Sequence, residues 1–301
     1  MTASPDDYYV HRGRLDARVH SALGERRTPL RLYGGPAGDP GWFGPGSVTW
    51  RVHAQLGPML IGGLSALFLQ SLHPLVVQGV TDHSNYREDP FGRLQRTADF
   101  IASTTYGSDE MASAAVERVR KIHDRIEGTT ADGRGYRAAD PDLLTYVHVT
   151  EVWSFLRAHH RYSGYPLLLS EKNRYVSEMS VVAERLGANC VPRTLDGLRQ
   201  YMREIEPELG RGKESEQVVS FLLAKQRPSA LDRLAQATLT EAAIDLLPLF
   251  ARRRLGFARL PGYRSLLVRP AATALSVVLH RRVGDAPMVR TATERACSGR
   301  G

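Results

Sequence analysis

The sequence predicts an all-α protein, built as a single domain of about ten helices. Segments with helical periodicity follow one another from about residue 48, and several of them open with a capping residue. The chain contains no convincing run of alternating polar and apolar residues, no Asn-Gly hairpin signal and no internal repeat. With 301 residues, of which 42% are hydrophobic and 24% charged, it can bury a large core.

Capping signals predict where several helices begin and end. Asp89-Pro90 and Asp140-Pro141 each place a capping carboxylate before a proline at the first helical position. Ser170 precedes a helix that Gly187 is expected to end. Other helices are expected at Leu56–Leu72, through "VRKIHDRIEG" (119–128), at Thr194–Ile205, Lys213–Lys225, Pro228–Leu255 with a kink at Pro248, and Pro270–Val283.

Composition divides the chain into three parts. Residues 1–47 form an N-terminal extension that ends in the Gly- and Pro-rich loop "LRLYGGPAGDPGWFGPGS", residues 48–255 form the main helical domain, and residues 256–301 form an Arg-rich helix and tail packed on the same domain. The polar N-terminus lacks the pattern of a secretion signal, and two cysteines, Cys190 and Cys297, are too few for a disulfide framework. We therefore expect a cytoplasmic protein.

Charge is distributed unevenly along the chain. Val52–Thr81 contains no Asp, Glu, Lys or Arg, but His, Gln and Pro interrupt it, so we expect a buried helix there and not a membrane span. The net charge is +8, and residues 251–301 alone carry 11 Arg, one Asp and one Glu. This asymmetry excludes a uniform nucleic-acid-binding surface. The basic tail could lie on an anionic membrane, or it could form terminal helices with a solvated Arg face.

Several familiar catalytic and binding sites are excluded by their missing motifs. The chain has no Cys-x-x-Cys-His, no His-Glu-x-x-His, no Gly-x-x-x-x-Gly-Lys-Ser/Thr and no Glu-x-x-His pair. Histidines on helices remain as the candidates.

His123 is the first such candidate. Val116, Val119, Ile122 and Ile126 share its helical stripe, so the imidazole is predicted to point inward. A buried imidazole must use both ring nitrogens, on hydrogen bonds or on a metal. The alternative is a core histidine bonded to a backbone carbonyl, which is the preferred interpretation for His148; His73, before Pro74, is intermediate.

The second candidate is the segment "DPFGRLQRTADFI". Arg93 and Arg96 occupy the first two turns of a helix, where the macrodipole disfavours cations, and Thr97 and Phe100 share their face. An anionic ligand would compensate, and the alternative is a salt bridge to Glu88 or Asp89. Together with an inward His123, this stripe suits a b-type haem, which needs an axial nitrogen, partners for two propionates and distal hydrogen-bond donors.

Four segments carry a family resemblance. "GGLSALFLQSLHPLVVQGVTDHS", "DPFGRLQRT", "VRKIHDRIEG" and "YRAADPDLLTYVHVT", in this order, resemble the MpaB-type oxygenase family, which includes the catalytic domain of the latex-clearing rubber oxygenases. The resemblance covers about Ser47–Leu209 and is weaker beyond. It implies a globin-reminiscent helical fold around a non-covalent b-type haem whose iron is bound by one helical histidine.

The resemblance assigns roles to residues of this chain. The iron ligand maps to His123, and Arg93 and Thr97 match positions implicated in the haem pocket of the rubber oxygenases. Arg96 stands where those enzymes carry Lys, which keeps the charge but changes the hydrogen-bond geometry. Their proposed catalytic glutamate has no counterpart here, because Val52–Thr81 contains no acid.

The predicted function is that of a haem-b-dependent oxygenase or peroxygenase acting on an apolar small organic substrate. Arg93, Arg96 and Thr97 would act in catalysis, Phe100 and Val119 would contact the cofactor, and the helix Leu56–Leu72 would wall the substrate pocket. One alternative is a haem carrier or sensor without turnover. Another is a cofactor-free helical protein that docks on membranes through its Arg-rich C-terminus.

Overall fold

A computed structural model describes residues 28–224, 229–257, 262–283 and 287–298, and the fold is helical apart from one small hairpin. The first 27 residues of the predicted N-terminal extension lie outside this range. Thirteen α-helices occur in the described ranges, against the ten or so expected. Part of the difference arises at Leu247-Pro248, where the segment expected to be one kinked helix is divided into two helices. The helices Val48–His53, Pro74–His83 and Pro287–Cys297 were not predicted as separate elements.

The elements follow one another in a simple order. The helices are α1 (Val48–His53), α2 (Leu56–Gln70), α3 (Pro74–His83), α4 (Pro90–Tyr106), α5 (Asp109–His123), α6 (Pro141–Tyr162), α7 (Leu169–Leu186), α8 (Leu195–Glu204), α9 (Lys213–Leu223), α10 (Ala230–Leu246), α11 (Leu249–Arg254), α12 (Arg269–Val283) and α13 (Pro287–Cys297). Strands β1 (Glu127–Thr129) and β2 (Gly135–Arg137) lie between α5 and α6. Short 3-10 turns occur at Leu30–Gly34 and Glu206–Glu208, and a π-helical turn at Arg264–Val268 precedes α12.

The centre of the fold is the pair α2 and α6, which pack along one another more extensively than any other described helices. Gly62 of α2 lies against Phe155 of α6, where a Cβ atom would come within 2.7 Å of the Phe155 ring. The Tyr146 hydroxyl of α6 donates to the Leu69 carbonyl of α2 at 2.5 Å. A helix without charged residues is therefore buried at the core by close contact with a second long helix.

The predicted caps are confirmed at three positions. The Asp89 carboxylate accepts the Gly92 N–H at 2.8 Å, and the Asp140 carboxylate accepts the Asp142 N–H at 2.8 Å. Gly187 ends α7 in the left-handed region at φ 107°. The cap predicted at Ser170 is wrong, because α7 begins at Leu169 with Leu168 as its N-cap, two residues earlier than expected, and the side chain of Glu171 accepts the Leu168 N–H at 2.8 Å.

The helix predicted through "VRKIHDRIEG" is shorter than expected. It ends at His123, and Asp124 forms its C-cap. Ile122 is 51% exposed and does not share a buried stripe with His123. Beyond the cap, β1 pairs antiparallel with β2, and the buried Tyr136 of β2 donates a 2.6 Å hydrogen bond to the Asp82 carboxylate of α3. The hairpin therefore fixes the C-terminal end of α5 against α3.

No helix in the described ranges is by itself long and apolar enough to cross a membrane. The pair α2 and α3, bent by 106° at their junction, reaches the required length and composition only together. Cys190 and Cys297 are both exposed and unpaired.

Candidate functional site

The antiparallel pair α4 and α5 brings the predicted site residues to one end of the fold. The two helices are joined at Gly107 and Ser108 and pack against each other. Arg93 precedes this connection by almost as many residues as His123 follows it, the two counts differing by one. Because each helix rises by about 1.5 Å per residue, the backbone positions of Arg93 and His123 lie at about the same distance from the connection. Thr97 and Val119 form the next level toward the connection. Residues that are far apart in sequence therefore share the open end of one helix pair.

Arg93 and Arg96 differ in their environments. Arg93 is half-buried and donates from Nη1 to the Ser84 hydroxyl at 2.9 Å, and burial lowers the pKa of its guanidinium. Arg96 is exposed and lies 3.4 Å from both the Asp89 carboxylate and the Asn85 side-chain oxygen. Arg96 thus forms the salt bridge that the sequence left open as an alternative. Only Arg93 remains without a carboxylate partner among the described contacts.

The other predicted residues of α4 and α5 line the same pair. The Thr97 hydroxyl is exposed and donates to the carbonyl of Arg93 in its own helix at 3.2 Å. Phe100 is half-buried against the core cluster that α2 and α6 build. Val119 is half-buried one turn before His123. Along this face of α4, Arg96 and Thr97 are therefore exposed to solvent, whereas Phe100 packs against the core.

His123 is the last residue of α5 and is half-buried. Burial lowers the pKa of its imidazole, an effect that Asp124 partly opposes. The ring is therefore neutral at physiological pH, which is the form that binds a metal. No hydrogen bond of the ring nitrogens is among the contacts of the described residues.

The apolar helix α2 has one open stripe. Ile61, Phe68 and Leu69 are buried in the core, whereas the stripe at i, i+3, i+4 and i+7 from Leu60 is only half-buried and consists of Leu60, Gly63, Leu64 and Leu67. Half-covered leucines on the most apolar helix of the chain can contact an apolar molecule. This stripe is the part of α2 that can serve as the expected pocket wall.

The interior of α6 contains two polar groups that the sequence did not single out as functional. His148 is buried, and its Nε2 atom has no hydrogen-bond partner in the part of the chain that the structure describes. Burial lowers the pKa of His148 to about 4, so the ring is neutral. The sequence favoured a core histidine whose ring is satisfied by hydrogen bonds at this position. The Nε2 atom of His148 does not meet that expectation.

Glu151 lies one turn further along α6, on the side that carries His148 and Phe155. Burial alone raises the pKa of its carboxyl to about 7. The sequence gave no signal for this residue, since one acid in a helix is ordinarily solvated. The raised pKa of the Glu151 carboxyl arises only from the helices that surround α6.

A chain of hydrogen bonds lies beside these groups. His53 of α1 contacts the Thr105 hydroxyl through Nδ1 at 2.8 Å and the Tyr175 hydroxyl through Nε2 at 3.0 Å. The pKa of Tyr175 is raised well above 10, first by burial and then by Glu151, which places its phenol in electrostatic contact with that carboxyl. His73, in contrast, is the N-cap of α3, where Nδ1 accepts the Val76 N–H at 3.5 Å.

These residues fit a b-type haem. The neutral imidazole of His123 can donate a nitrogen to iron, Arg93, which has no carboxylate partner among the described residues, can neutralise a propionate, and the open stripe of α2 can contact the apolar face of a macrocycle. The unpartnered Nε2 of His148 is a buried polar atom that a ligand would satisfy. In the ranges that the structure covers, no three His, Cys, Asp or Glu side chains cluster as ligands of a bare metal ion.

Comparison with known proteins identifies the family of the chain. The family model described as "ER-bound oxygenase mpaB/B'/Rubber oxygenase, catalytic domain" matches residues 50–277, which include α2 to α11 and extend well beyond Leu209. No curated protein and no solved structure matches the chain. Because the match covers most of the 301 residues, the chain belongs to the mpaB and rubber oxygenase catalytic-domain family, a family of oxygenases.

Proposed function

We propose that the protein is a haem-b-dependent oxygenase or peroxygenase that oxidises an apolar small organic molecule. The observation that supports this proposal is the α4–α5 pair, in which the backbone positions of Arg93 and His123 lie at about the same distance along the two helices from their connection. Membership of an oxygenase family supports the reaction class. When bound, a b-type haem supplies the iron at which an oxidant is activated.

Each residue of the pair has a distinct role in this proposal. His123 holds a neutral nitrogen at the end of α5, where burial disfavours its protonation. Arg93, fixed by Ser84, presents positive charge to a propionate at the solvent edge, and Arg96 would do so on exchanging its exposed salt bridge with Asp89 for the second propionate. Thr97 offers a hydroxyl on the same face, and Phe100 and Val119 exclude water on the core side.

The substrate is proposed to lie along the open stripe of α2. This stripe offers only aliphatic side chains and a glycine, namely Leu60, Gly63, Leu64 and Leu67. Such a wall binds by removing apolar surface from water, at about 25 cal/mol per Å². It gives no hydrogen bond that would select a polar substrate.

The test is the absorption spectrum of the purified protein before and after incubation with haemin. We expect a Soret band in the wild type and its loss or a large shift in His123→Ala. His160→Ala is the matched control, because His160 is an exposed histidine on α6. A wild-type protein that contains no haem and takes none up contradicts the proposal, as does a His123→Ala spectrum identical to that of the wild type.

A haem carrier or sensor without turnover is the second candidate. The observation that favours it is the unpartnered Nε2 of the buried His148, a neutral nitrogen able to act as a further ligand. A second axial nitrogen would leave no open position on the iron. A six-coordinate spectrum that becomes five-coordinate in His148→Ala supports the carrier, and oxidant consumption with isoprenoid or lipid-like candidates supports the enzyme.

A surface near the C-terminus favours peripheral membrane contact, which is compatible with either candidate. Leu231 on α10 is 74% exposed and Leu266 in the π-helical turn is 75% exposed. Leu234, Leu267 and Val278 are also exposed, and α10, the π-helical turn and α12 pack against one another. Large exposed apolar surfaces of this kind mark interaction sites.

Charge indicates an anionic lipid surface as the partner. Residues 246–284 contain eight Arg and neither Asp nor Glu. Arg253 and Arg281 are exposed, and no ion pair of theirs occurs among the described residues. Exposed leucines flanked by arginines are typical of a surface that inserts apolar side chains between anionic headgroups.

Sedimentation with phosphatidylglycerol vesicles tests this contact. We expect binding that weakens with salt and is lost in Leu266→Ser/Leu267→Ser. Leu168→Ser/Leu169→Ser is the matched control, because these two leucines are similarly exposed at the start of α7. Equal binding by both double variants, or equal binding to phosphatidylcholine vesicles, contradicts the assignment.

A further inference from the structure

Two segments near the ends of the described chain are bound to each other. Residues 33–42 precede α1 and α13 is the last described helix, so both segments lie outside residues 50–277, which the family model matches. The Gly38 N–H donates to the carbonyl of Arg295 on α13 at 2.8 Å. The Arg295 guanidinium donates in return to the carbonyls of Tyr33 at 2.7 Å and Asp39 at 2.8 Å. We name residues 33–42 and α13 together the terminal strap.

The terminal strap packs on α4 and α5 through a hydrophobic cluster. The buried members of this cluster are Tyr33, Trp50, Tyr106 and Ala292, none of which belongs to the core cluster around α2 and α6. Half-buried side chains from the strap, α4 and α5 complete it, namely Ala102, Met111, Met288 and Val289. Because Tyr106 is the last residue of α4, the strap covers the end of the pair at which the two helices are joined.

Polar contacts fix the strap to the connection between α4 and α5. Arg295 donates from Nη2 to the Gly107 carbonyl at 3.1 Å. The Asp39 carboxylate accepts the N–H of Asp109, the first residue of α5, at 2.9 Å. Trp42 donates from Nε1 to the Asp109 carboxylate at 2.8 Å. The strap therefore holds both the residue that follows α4 and the residue that begins α5.

We propose that the terminal strap positions the α4–α5 pair, with Arg295 as the main positioning residue, and thereby sets the spacing of the two helices at their open end. The guanidinium is a rigid planar fork that joins α13, residues 33–42 and the connection, so one of these three parts cannot shift without loss of hydrogen bonds. The consequence for haem binding rests on the proposed function, whereas the positioning itself does not.

The length of the pair amplifies a small change at the connection. Arg93 lies 14 residues before Gly107, and His123 lies 15 residues after Ser108. Both are therefore roughly 20 Å from the connection, and a change of about 5° in the angle between the helices would move them apart by about 2 Å. This displacement exceeds the roughly 0.5 Å within which the groups of a binding site must be held.

Spin labels at the open end test the positioning without any cofactor. In a protein that carries Cys190→Ser and Cys297→Ser, labels attached after Leu94→Cys and Ile122→Cys report the spacing of α4 and α5 through dipolar broadening, since both positions are exposed. We expect a defined broadening without further change, and a weaker, more heterogeneous broadening in Arg295→Lys. Arg290→Lys, at an exposed position of α13, is the matched control. An Arg295→Lys spectrum identical to that of the control overturns the proposal.

Asp39→Ala tests the strap at a second contact and decides the question if Arg295→Lys does not fold. It removes the carboxylate that accepts the Asp109 N–H, while the carbonyl that binds Arg295 remains. We expect the broadening to weaken here as well. Unchanged broadening in Asp39→Ala overturns the proposal when Arg295→Lys does not fold.

Hydrogen exchange tests whether the strap is coupled to the proposed haem site. Coupling between two sites is reciprocal, so a ligand that fixes the open end also tightens the strap. On saturation with haemin we expect the amides of the strap to exchange at least about five-fold more slowly in the wild type. Unchanged exchange in the haem-loaded protein overturns the coupling but not the proposed function. A protein that takes up no haemin overturns the proposed function instead, and the spin-label spacing then decides the inference alone.

Discussion

The Nε2 atom of His53 lies 3.0 Å from the hydroxyl oxygen of Tyr175, where α1 meets α7 in the buried core. The other ring nitrogen of His53 contacts the Thr105 hydroxyl of α4 at 2.8 Å. One imidazole thereby joins three helices, α1, α4 and α7. Because burial lowers its pKa to about 3, the ring is neutral and needs both partners to satisfy its two nitrogens.

Removal of the Tyr175 hydroxyl is expected to destabilise the fold. Tyr175→Phe leaves a buried ring nitrogen of His53 without a partner, which costs about 1–3 kcal/mol of the free energy of unfolding. Tyr86→Phe is the matched control, because the buried Tyr86 hydroxyl has no hydrogen-bond partner among the described residues. Urea unfolding measures both, and equal effects of the two substitutions would contradict the assigned role of Tyr175.

Stability is expected to decrease as pH falls below about 6.5. Burial lowers the pKa of His53 to about 3 and those of His73, His148 and His159 to about 4, so these rings stay neutral in the folded state while the unfolded chain protonates them at 6.5. Stability is therefore full above 6.5 and is lost as pH falls toward 4. Glu151, with a raised pKa of about 7, acts in the opposite direction, since its proton is bound in the folded state.

The sum of these groups sets the size of the effect. Four histidine protons bound on unfolding and one glutamate proton released give a loss of up to about 4 kcal/mol per pH unit between about pH 6 and about pH 5. His159→Leu should reduce this slope by the contribution of about one proton bound on unfolding. The substitution removes a fully buried ring whose two nitrogens have no partners among the described residues. Urea midpoints across this pH range give the slope, and a pH-independent midpoint would refute the prediction.

Arg295 is expected to hold the residues before α1 against the helical domain. The residue is 3% exposed. Its guanidinium donates to the carbonyls of Tyr33 at 2.7 Å, Asp39 at 2.8 Å and Gly107 at 3.1 Å. Arg295→Lys cannot reproduce this planar fork, and we expect a loss of about 2–4 kcal/mol in unfolding free energy together with faster proteolysis near residues 33–41. Arg290→Lys, at an exposed position of α13, is the control and should change neither measurement.

Local chemistry made most of the helical fold predictable. Asp89 and Asp140 cap the helices they were expected to cap because a carboxylate beside a helical proline has few other uses, and Gly187 ends α7 because it adopts a φ of 107° at low cost. Ser170 failed as a cap because Glu171 competes successfully for the Leu168 N–H. The hairpin after α5 escaped prediction because strands of three residues are too short to show alternation.

The candidate site was predictable only where one helix carries it. Arg93, Arg96, Thr97 and Phe100 share a face that their spacing alone determines. The partner of Arg96 was also foreseen, because Asp89 is a neighbour in sequence. Glu151 and the unpartnered nitrogen of His148 depend on which helices cover α6, and a single sequence does not specify that tertiary contact.

Two adjacent glycines of α2 should respond in opposite ways to alanine. A Cβ at Gly62 would lie 2.7 Å from the Phe155 ring and 3.1 Å from its Cα atom, and the Phe155 backbone cannot move without separating α2 from α6. A Cβ at Gly63 would meet only a Phe155 ring carbon, at 4.0 Å, on the half-open stripe. Gly62→Ala is therefore expected to cost about 1–3 kcal/mol through overpacking, whereas Gly63→Ala should gain up to about 1 kcal/mol from helix propensity. Thermal and urea unfolding of the two variants measure the difference, and a stable Gly62→Ala would mean that the two central helices are not in the close contact from which the site is built.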